Sequence, residues 1–168
     1  MRVDDLDFDL PEERIAQVPS QVRDHARLLV VPPAPAAFGH HVVSDLPGLL
    51  RAGDLLVLND TRVLPTRLVA TRDTGGRIRV VFVERVGARH WRAFLKSGGR
   101  PQVGEVLHSA SGAALRLVER DADGTWIISF EDAEPEAVFE TEGRMPLPPY
   151  IARADDDERD ALDRERYQ

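Results

Sequence analysis

The stretch RLVATRDTGGRIRVVFVERVGARHWRAFLK, which covers Arg67–Lys96, decides the fold of the middle of the chain. Its runs of β-branched and aromatic residues are short, and turn signals at Asp73–Gly76 and Gly87–Arg89 separate them. This pattern is typical of strands that follow one another through tight turns. The stretch therefore predicts a sheet without helices.

The same character continues as far as residue 130, with further turns at Ser109–Gly112 and Asp121–Gly124. Strands are expected at Arg67–Thr71, Arg77–Val86, His90–Lys96, Val103–Leu107, Ala114–Arg120 and Thr125–Phe130. Six short strands at close spacing predict a small closed barrel or a sandwich. We assign a six-stranded antiparallel β-barrel to residues 62–133.

The segments on either side of the barrel have the pattern of an α/β domain. Arg27–Val31 and Leu55–Leu58 are continuous apolar runs, which are typical of strands covered on both faces. A further strand is expected at Val3–Phe8. Short helices are expected at Pro11–Gln17 and after Ser44.

Helical signals return after the barrel. A helix opens at Glu134 and ends before Gly143, and the acidic segment Asp155–Gln168 predicts another. The predicted organisation is an α/β domain that begins in residues 1–61, is interrupted by the barrel, and resumes incompletely in residues 134–168.

Composition favours a soluble, cytoplasmic protein without a metal. Of 168 residues, 42% are hydrophobic and 30% are charged, and there is no cysteine. No apolar run approaches the roughly 18 residues that span a membrane, and the acidic N-terminus is unlike a signal peptide. His25 and the pair His40 and His41 lack a third ligand at metal spacing. We also expect a monomer.

The charge of the chain is unevenly distributed. The net charge is −7, but residues 62–100 hold nine Arg and one Lys against two acidic residues. Phosphate attraction is local because salt screens charges beyond roughly 8–10 Å. The basic block therefore indicates a nucleic-acid partner, although solvated outward positions on strands would give the same pattern.

Two motifs carry candidate chemistry. Asn59-Asp60-Thr61-Arg62 follows the apolar run Leu55–Leu58, and strand ends are favoured ligand sites in an α/β layer. There Asp60 is a candidate base or ribose contact, and Arg62 is a candidate for binding a carboxylate or phosphate. The alternative is a polar turn with a surface arginine.

The second motif is Met145–Ile151, with the sequence MPLPPYI. Its prolines fix an extended backbone that presents Tyr150 rigidly. Such an aromatic ring stacks on a base or covers a pocket. The alternative is a connector whose Tyr150 packs on the core.

Together, NDTRVLPTRL (Asn59–Leu68) and GRMPLPPYI (Gly143–Ile151) resemble the S-adenosylmethionine:tRNA ribosyltransferase-isomerase family of queuosine biosynthesis. The opening FDLPEERIAQVP (Phe8–Pro19), followed by RDHARLLVV (Arg23–Val31), agrees with it. The resemblance covers essentially the whole chain. It implies an α/β domain interrupted by a small β-barrel.

The resemblance also implies a reaction. Such enzymes transfer and isomerise the ribosyl unit of S-adenosylmethionine onto 7-aminomethyl-7-deazaguanine at the tRNA wobble position, giving epoxyqueuosine. We expect S-adenosylmethionine to be a substrate, with Asp60 as base or ribose contact and Asn59, Thr61, Arg62 and Tyr150 as substrate-binding residues. The expected tRNA contacts on the barrel are Arg67, Arg77, Arg79, Arg92 and Lys96.

The sequence departs from the family pattern in two respects. The family often carries a Lys-Pro-Gly-like element after the fourth barrel strand, which Leu95–Gly98 matches only loosely. Family members also continue about as far again, through a Pro-Thr-Ala-Gly-Leu-His-Phe-like motif that is absent here. We therefore expect an N-terminal portion that is inactive alone. The alternatives are a stand-alone RNA-binding barrel and a non-functional truncation product.

Overall fold

The computed structural model describes residues 2–33, 36–154 and 158–167. Backbone contacts divide the chain into two compact units. The N-terminal unit consists of Met1–Asp60 and Pro149–Ala152, and the barrel unit consists of Thr61–Pro148 and Arg153–Gln168. None of the helices among the described residues is long and apolar enough to cross a membrane.

The N-terminal unit contains one small antiparallel sheet. Strand β1, Arg27–Val30, pairs with β2, Gly39–Val42. Helix α1, Leu46–Leu49, follows a 3-10 turn at Val43–Asp45. The remaining described helices of this unit are 3-10 turns at Val3–Leu6, Glu12–Arg14 and Arg23–His25.

Two predictions for the start of the chain are wrong. Val3–Leu6 forms a 3-10 turn and not a strand, because the Arg2 N–H donates to the Asp5 carboxylate at 2.8 Å and closes the turn locally. The expected helix Pro11–Gln17 is reduced to Glu12–Arg14. Short helices are marginal without a packing surface, and none of the residues of that turn is buried.

The expected strand Leu55–Leu58 is also wrong. These residues have no regular secondary structure, and Leu55 is 88% exposed. A strand needs a neighbour for its N–H and C=O groups, and no described strand pairs with this run. No side chain in the described residues 2–33 and 36–60 is fully buried. The described residues therefore do not confirm the predicted α/β domain.

The barrel is confirmed. Its strands are β3 Arg67–Arg72, β4 Arg77–Arg85, β5 His90–Ser97, β6 Val106–His108, β7 Ala114–Arg120 and β8 Trp126–Phe130. They close antiparallel in the order β3-β4-β5-β8-β7-β6. Strand β6 starts later than predicted, because Gly104 has φ of +87° and its N–H donates to the Leu117 carbonyl in a bend.

Inward positions of the strands form the core. The buried apolar side chains include Leu68, Ala70, Ile78, Val80, Phe82, Trp91, Ala93, Leu107, Leu115, Leu117, Ile128 and Phe130. Register shifts occur between Phe82 and Glu84 and between Leu117 and Glu119. Such bulges increase the twist that a narrow barrel requires.

Helix α2, Pro135–Glu142, packs into this core. The Phe139 ring lies 5.1 Å from the Phe82 ring, 5.0 Å from Trp91 and 5.7 Å from Phe130, measured between centroids. These tilted and edge-on contacts suit the charge distribution of aromatic rings. The barrel unit therefore continues past residue 133, where the sequence analysis ended it.

The chain leaves α2 through a close approach at Gly143. A Cβ atom there would lie 1.9 Å from the Pro65 carbonyl oxygen, so only glycine fits. Arg144 then pairs with Arg67 in an antiparallel bridge. This bridge ties the segment after α2 to the first strand of the barrel.

Helix α3, Asp160–Arg166, is fixed to the barrel unit by a buried ion pair. The Arg153 guanidinium donates to both Asp163 carboxylate oxygens at 2.8 and 3.0 Å, and the two side chains are 1% and 5% exposed. Hydrogen bonding to Asp163 raises the pKa of Arg153. The helix expected from Asp155 onward is found in this shorter form, and Asp155–Asp157 lie outside the described residues.

We predict that Phe139→Ala lowers the free energy of unfolding of the barrel by about 3–5 kcal/mol, since it leaves a cavity among the aromatic rings. Urea unfolding followed by tryptophan fluorescence measures this, because Trp91 and Trp126 both lie in the core. Phe94→Ala is the matched control, as Phe94 is 54% exposed. Equal losses in the two variants would contradict the prediction.

Candidate functional site

The four residues Asn59–Arg62 have no regular secondary structure and are all exposed. Asn59 and Asp60 are the last residues of the first segment of the N-terminal unit, and Thr61 and Arg62 begin the barrel unit. They do not follow the end of a strand, because Leu55–Leu58 does not form one. These four residues are close to one another because they are consecutive in the sequence.

Tyr150 lies in the segment Pro149–Ala152 of the N-terminal unit and is 60% exposed. Gln17 holds the backbone around it. The Gln17 side-chain amide donates to the Tyr150 carbonyl at 2.9 Å, and its oxygen accepts from the Ala152 N–H at 2.8 Å. This two-point bond presents the Tyr150 side chain to solvent from a fixed backbone.

Sequence reasoning did not assign a role to Gln17. It belongs to the quoted stretch Phe8–Pro19, but its partners lie 133 and 135 residues further along the chain. No local pattern connects residues at such a separation. The available signal was that Gln17 is a polar residue inside a family-like motif and has no role in a helix cap or a turn.

The predicted RNA contacts on strands β3 to β5 lie on the outer surface of the barrel. Arg79 is directly opposite Lys96, and Arg77 is opposite Thr71. We call this surface the basic face, comprising Arg67, Arg77, Arg79 and Lys96 together with the exposed Phe94. Cations around an exposed aromatic ring suit a nucleic acid, which presents phosphates and stackable bases.

Among the predicted contacts, Arg92 lies beside two carboxylates. Its guanidinium pairs with Glu84 at 3.1 Å and also with Asp121. The hydrogen bond to Glu84 is the main cause that raises the pKa of Arg92, with Asp121 adding to it. Its charge is therefore compensated within the barrel.

A cavity of about 470 Å³ lies beside β3. Arg67, Arg77, Arg144 and Arg164 line it, together with Glu142 and Asp160. Arg164 pairs with Asp160 at 2.9 Å and donates to the Gly143 carbonyl. Sequence reasoning missed Arg144 and Arg164 as cavity residues, although Arg144 stands inside the motif GRMPLPPYI.

Neutral donors form hydrogen bonds with Glu142, the second carboxylate that lines this cavity. Glu142 accepts from the Ser109 hydroxyl at 2.6 Å, the Ala110 N–H at 2.7 Å and the Ser111 hydroxyl at 2.5 Å. These bonds hold the 109–111 turn against the end of α2. The described residues contain no group of three or more His, Asp or Glu side chains that could hold a metal ion.

Comparison with known proteins decides the family. The family model described as "Queuosine biosynthesis protein" matches residues 3–168. The chain belongs to this family. This confirms the family that the motifs at Asn59–Leu68 and Gly143–Ile151 predicted.

Curated relatives within the queuosine biosynthesis family are named S-adenosylmethionine:tRNA ribosyltransferase-isomerase. One from Rhizorhabdus wittichii is 46% identical over 100% of this chain and 48% of its own length. One from Methylocella silvestris is 47% identical over 97% and 48%. One from Xanthomonas euvesicatoria is 43% identical over 100% and 46%. The chain thus spans about half the length of the curated relatives it matches.

A solved structure is also similar to this queuosine family member. It is the crystal structure of S-adenosylmethionine tRNA ribosyltransferase from Thermotoga maritima. The sequence identity is 32%, the TM-score is 0.43, and the match covers 81% of this chain and 47% of that chain.

We predict that Gln17→Leu increases hydrogen exchange at the Ala152 amide about tenfold, because a hydrogen bond of roughly 1–1.5 kcal/mol is lost. Exchange measured by NMR or mass spectrometry reports this directly. Gln17→Glu is the matched variant, since it keeps an acceptor for Ala152 but loses the donor to Tyr150. Unchanged exchange in Gln17→Leu would show that the two-point bond does not hold this segment.

Proposed function

We propose that this chain contributes to an enzyme that transfers and isomerises the ribosyl group of S-adenosylmethionine onto 7-aminomethyl-7-deazaguanine in tRNA. The product is epoxyqueuosine, and adenine and methionine are released. The observation that carries this proposal is the match of relatives with that name along essentially the whole chain, at 43–47% identity. The target is the wobble nucleotide of the anticodon.

The residue types at Asn59–Arg62 suit the donor substrate. The sulfonium of S-adenosylmethionine acidifies the neighbouring C5′ hydrogens, so a positioned carboxylate starts the rearrangement by removing one of them. Asp60 supplies that carboxylate or binds a ribose hydroxyl. Arg62 pairs with the methionine carboxylate, and Asn59 and Thr61 donate hydrogen bonds that orient the substrate.

Tyr150 suits the nucleobase. Its ring is exposed, and its backbone is held by Gln17 between the prolines of MPLPPYI and Ala152. A ring on a fixed backbone loses little conformational entropy when a base stacks on it. We therefore assign Tyr150 to stacking on adenine or on the deazaguanine.

The tRNA backbone is bound by the basic face. Arg67, Arg77, Arg79 and Lys96 carry the attraction, because outward positions on neighbouring strands concentrate their charges. Arg92 belongs to the same set, and Glu84 and Asp121 offset part of its charge. The exposed Phe94 between these cations offers a ring to an unpaired base.

We further propose that the N-terminal unit is part of an α/β domain which needs the remaining length of the relatives. Leu55–Leu58 is an exposed apolar run in this chain. An added strand or helix would cover it and organise the adjoining Asn59–Arg62. The 168-residue chain by itself would then bind tRNA without turnover.

A stand-alone RNA-binding barrel is the second candidate. The complete core and closed sheet of the barrel favour it, since such a module folds without further residues. The two candidates differ in one assay. The assay uses a protein that carries this sequence and has the full length of the relatives. If the first candidate function is correct, this protein releases adenine from S-adenosylmethionine in the presence of substrate tRNA. If the second is correct, it does not.

We predict that Arg62→Ala in that full-length protein lowers kcat/KM for S-adenosylmethionine at least tenfold, since a charge-assisted bond of roughly 1.5–3 kcal/mol is lost. Adenine release with the 7-aminomethyl-7-deazaguanine tRNA measures it. Arg51→Ala is the control, because Arg51 is another exposed arginine and lies outside the motif. Unchanged kinetics for Arg62→Ala would remove this residue from the site.

We predict that Arg79→Gln with Lys96→Gln weakens tRNA binding and reduces the slope of log Kd against log salt by about 1.4–1.8, at roughly 0.7–0.9 per phosphate contact. Filter binding across a salt series measures both quantities. Arg116→Gln makes the same change per residue on β7, where Glu131 pairs with Arg116 at 3.1 Å. If the slope is the same in the wild type and in all variants, the basic face does not bind the tRNA backbone.

A further inference from the structure

The interior of the barrel has two ends, and different groups occupy them. At one end, Phe139 of α2 packs against Trp91 and other aromatic rings. Strand β5 runs from that end to Ser97, which is paired with Ile78 near the start of β4. At this second end, Ser97 lines a cavity of about 450 Å³. Pockets of roughly 300–1,000 Å³ are the size that takes small ligands.

We call this space the end cavity, and its polar and aromatic lining residues are Ser97, Arg100, Gln102, Arg120 and Trp126. Trp126 is 5% exposed and belongs to the core of the barrel. Arg100, Gln102 and Arg120 are exposed. The end cavity therefore has a buried aromatic floor and an exposed polar rim. Its two arginines favour an anion, since none of the described residues that line it is acidic.

Strand pairing holds Arg120 over Trp126. The two residues are directly opposite each other on β7 and β8, so their side chains project to the same face of the sheet. The Arg120 guanidinium carbon lies 5.9 Å from the Trp126 ring centroid, within range of a cation–π contact. Nucleobases stack on guanidinium planes as they do on aromatic rings. The end cavity thus contains a stacking surface whose position the sheet determines.

The loop between β5 and β6 forms part of the rim and is anchored near both of its ends. The Gly99 N–H donates to the Ser97 hydroxyl oxygen at 3.1 Å. The Gln102 N–H donates to the Glu105 carboxylate at 3.0 Å, and that carboxylate pairs with Arg72 on β3 at 3.0 Å. These bonds hold the backbone on both sides of the arginine in this loop. A held loop loses less conformational entropy when a ligand binds.

The remaining polar groups of the end cavity suit the edge of a base and a phosphate. The Gln102 amide and the Ser97 hydroxyl each contain a donor and an acceptor, and unpaired bases present both on their edges. Arg100 adds a guanidinium, which binds a phosphate through two parallel hydrogen bonds. A stacking surface, partners for a base edge and a phosphate ligand therefore line one cavity. This combination suits a nucleotide better than a small anion, which has no planar part.

We propose that the end cavity binds one unpaired nucleotide of an RNA strand. The base stacks on Arg120 above Trp126, the Gln102 amide contacts the base edge, and Arg100 pairs with the phosphate. RNA as the source of the nucleotide rests on the proposed function, and a free mononucleotide has the same chemistry. The basic face is proposed to bind backbone phosphates on the outer surface, so the two assignments can be tested separately.

Fluorine NMR of the 168-residue chain labelled with fluorotryptophan tests the site, because the chain has two tryptophans. Trp91→Phe assigns the two resonances. Uridine monophosphate and hexauridylate should each shift the Trp126 resonance in a saturable way. The Trp91 resonance should stay unchanged, since Trp91 lies at the end where α2 packs. If inorganic phosphate at the same concentrations shifts the Trp126 resonance equally, the end cavity binds an anion without a base and the proposal is wrong.

Two variants separate stacking from charge. Arg120→Lys keeps a cation but loses the guanidinium plane, and it should weaken binding of uridine monophosphate about fivefold or more. Arg100→Gln should weaken it about tenfold or more, because a charge-assisted hydrogen bond is lost. Arg89→Gln is the matched control, since Arg89 is exposed and pairs with Glu134 beside α2. Wild-type affinity in Arg120→Lys would overturn the stacking assignment, and wild-type affinity in Arg100→Gln would overturn the phosphate contact.

The two nucleotide probes distinguish the source of the nucleotide and separate this site from the basic face. If hexauridylate binds but leaves the Trp126 resonance unchanged, the strand lies on the outer surface and RNA is not the source. The same holds if only uridine monophosphate shifts that resonance. If neither probe shifts it while Arg79→Gln with Lys96→Gln lowers the salt slope of tRNA binding, the end cavity is wrong and the proposed function stands.

Discussion

The packing of Phe139 against Phe82, Trp91 and Phe130 is the interaction on which the rest of the barrel unit depends. A six-stranded barrel has a narrow interior, and its inward positions include the small residues Ala70 and Ala93. Helix α2 supplies an additional ring from outside the sheet. Aromatic pairs of this kind contribute about 0.5–1.5 kcal/mol each beyond the burial of area. The closure of the sheet and the position of α2 therefore stabilise each other.

The position of α2 sets the position of the chain directly after it. Gly143 leaves the helix against the Pro65 carbonyl, and Arg144 then pairs with Arg67 on β3. Glu142, the last residue of the helix, anchors the 109–111 turn. The cavity beside β3 is thus assembled from two strands, a turn, two helices and the segment after α2. Closure also leaves the barrel without a free edge, so its outer surface tolerates many cations without exposing backbone groups for pairing.

The N-terminal unit depends on different contacts. Its two-stranded sheet buries little, and its apolar run Leu55–Leu58 lies exposed beside the polar residues Asn59–Arg62. The Gln17 bonds to Tyr150 and Ala152 join distant parts of this unit around a predicted substrate residue. The residues proposed to bind RNA therefore lie on strands of the barrel. The residues proposed to bind the donor substrate lie on a segment without regular secondary structure.

Local sequence determined the barrel, the turn positions, the helix before Gly143 and the motifs that identify the family. Alternation of apolar residues and turn residues act within a few positions, so they can be recognised without knowledge of tertiary contacts. The strand expected at Leu55–Leu58 failed because burial and pairing depend on residues elsewhere in the chain. For the same reason only the tertiary structure showed that carboxylates from β4 and from the β7–β8 turn enclose Arg92. Only the tertiary structure brought Arg144 and Arg164 to the same cavity as Arg67. The backbone hydrogen bonds between Arg67 and Arg144 join residues that are 77 positions apart.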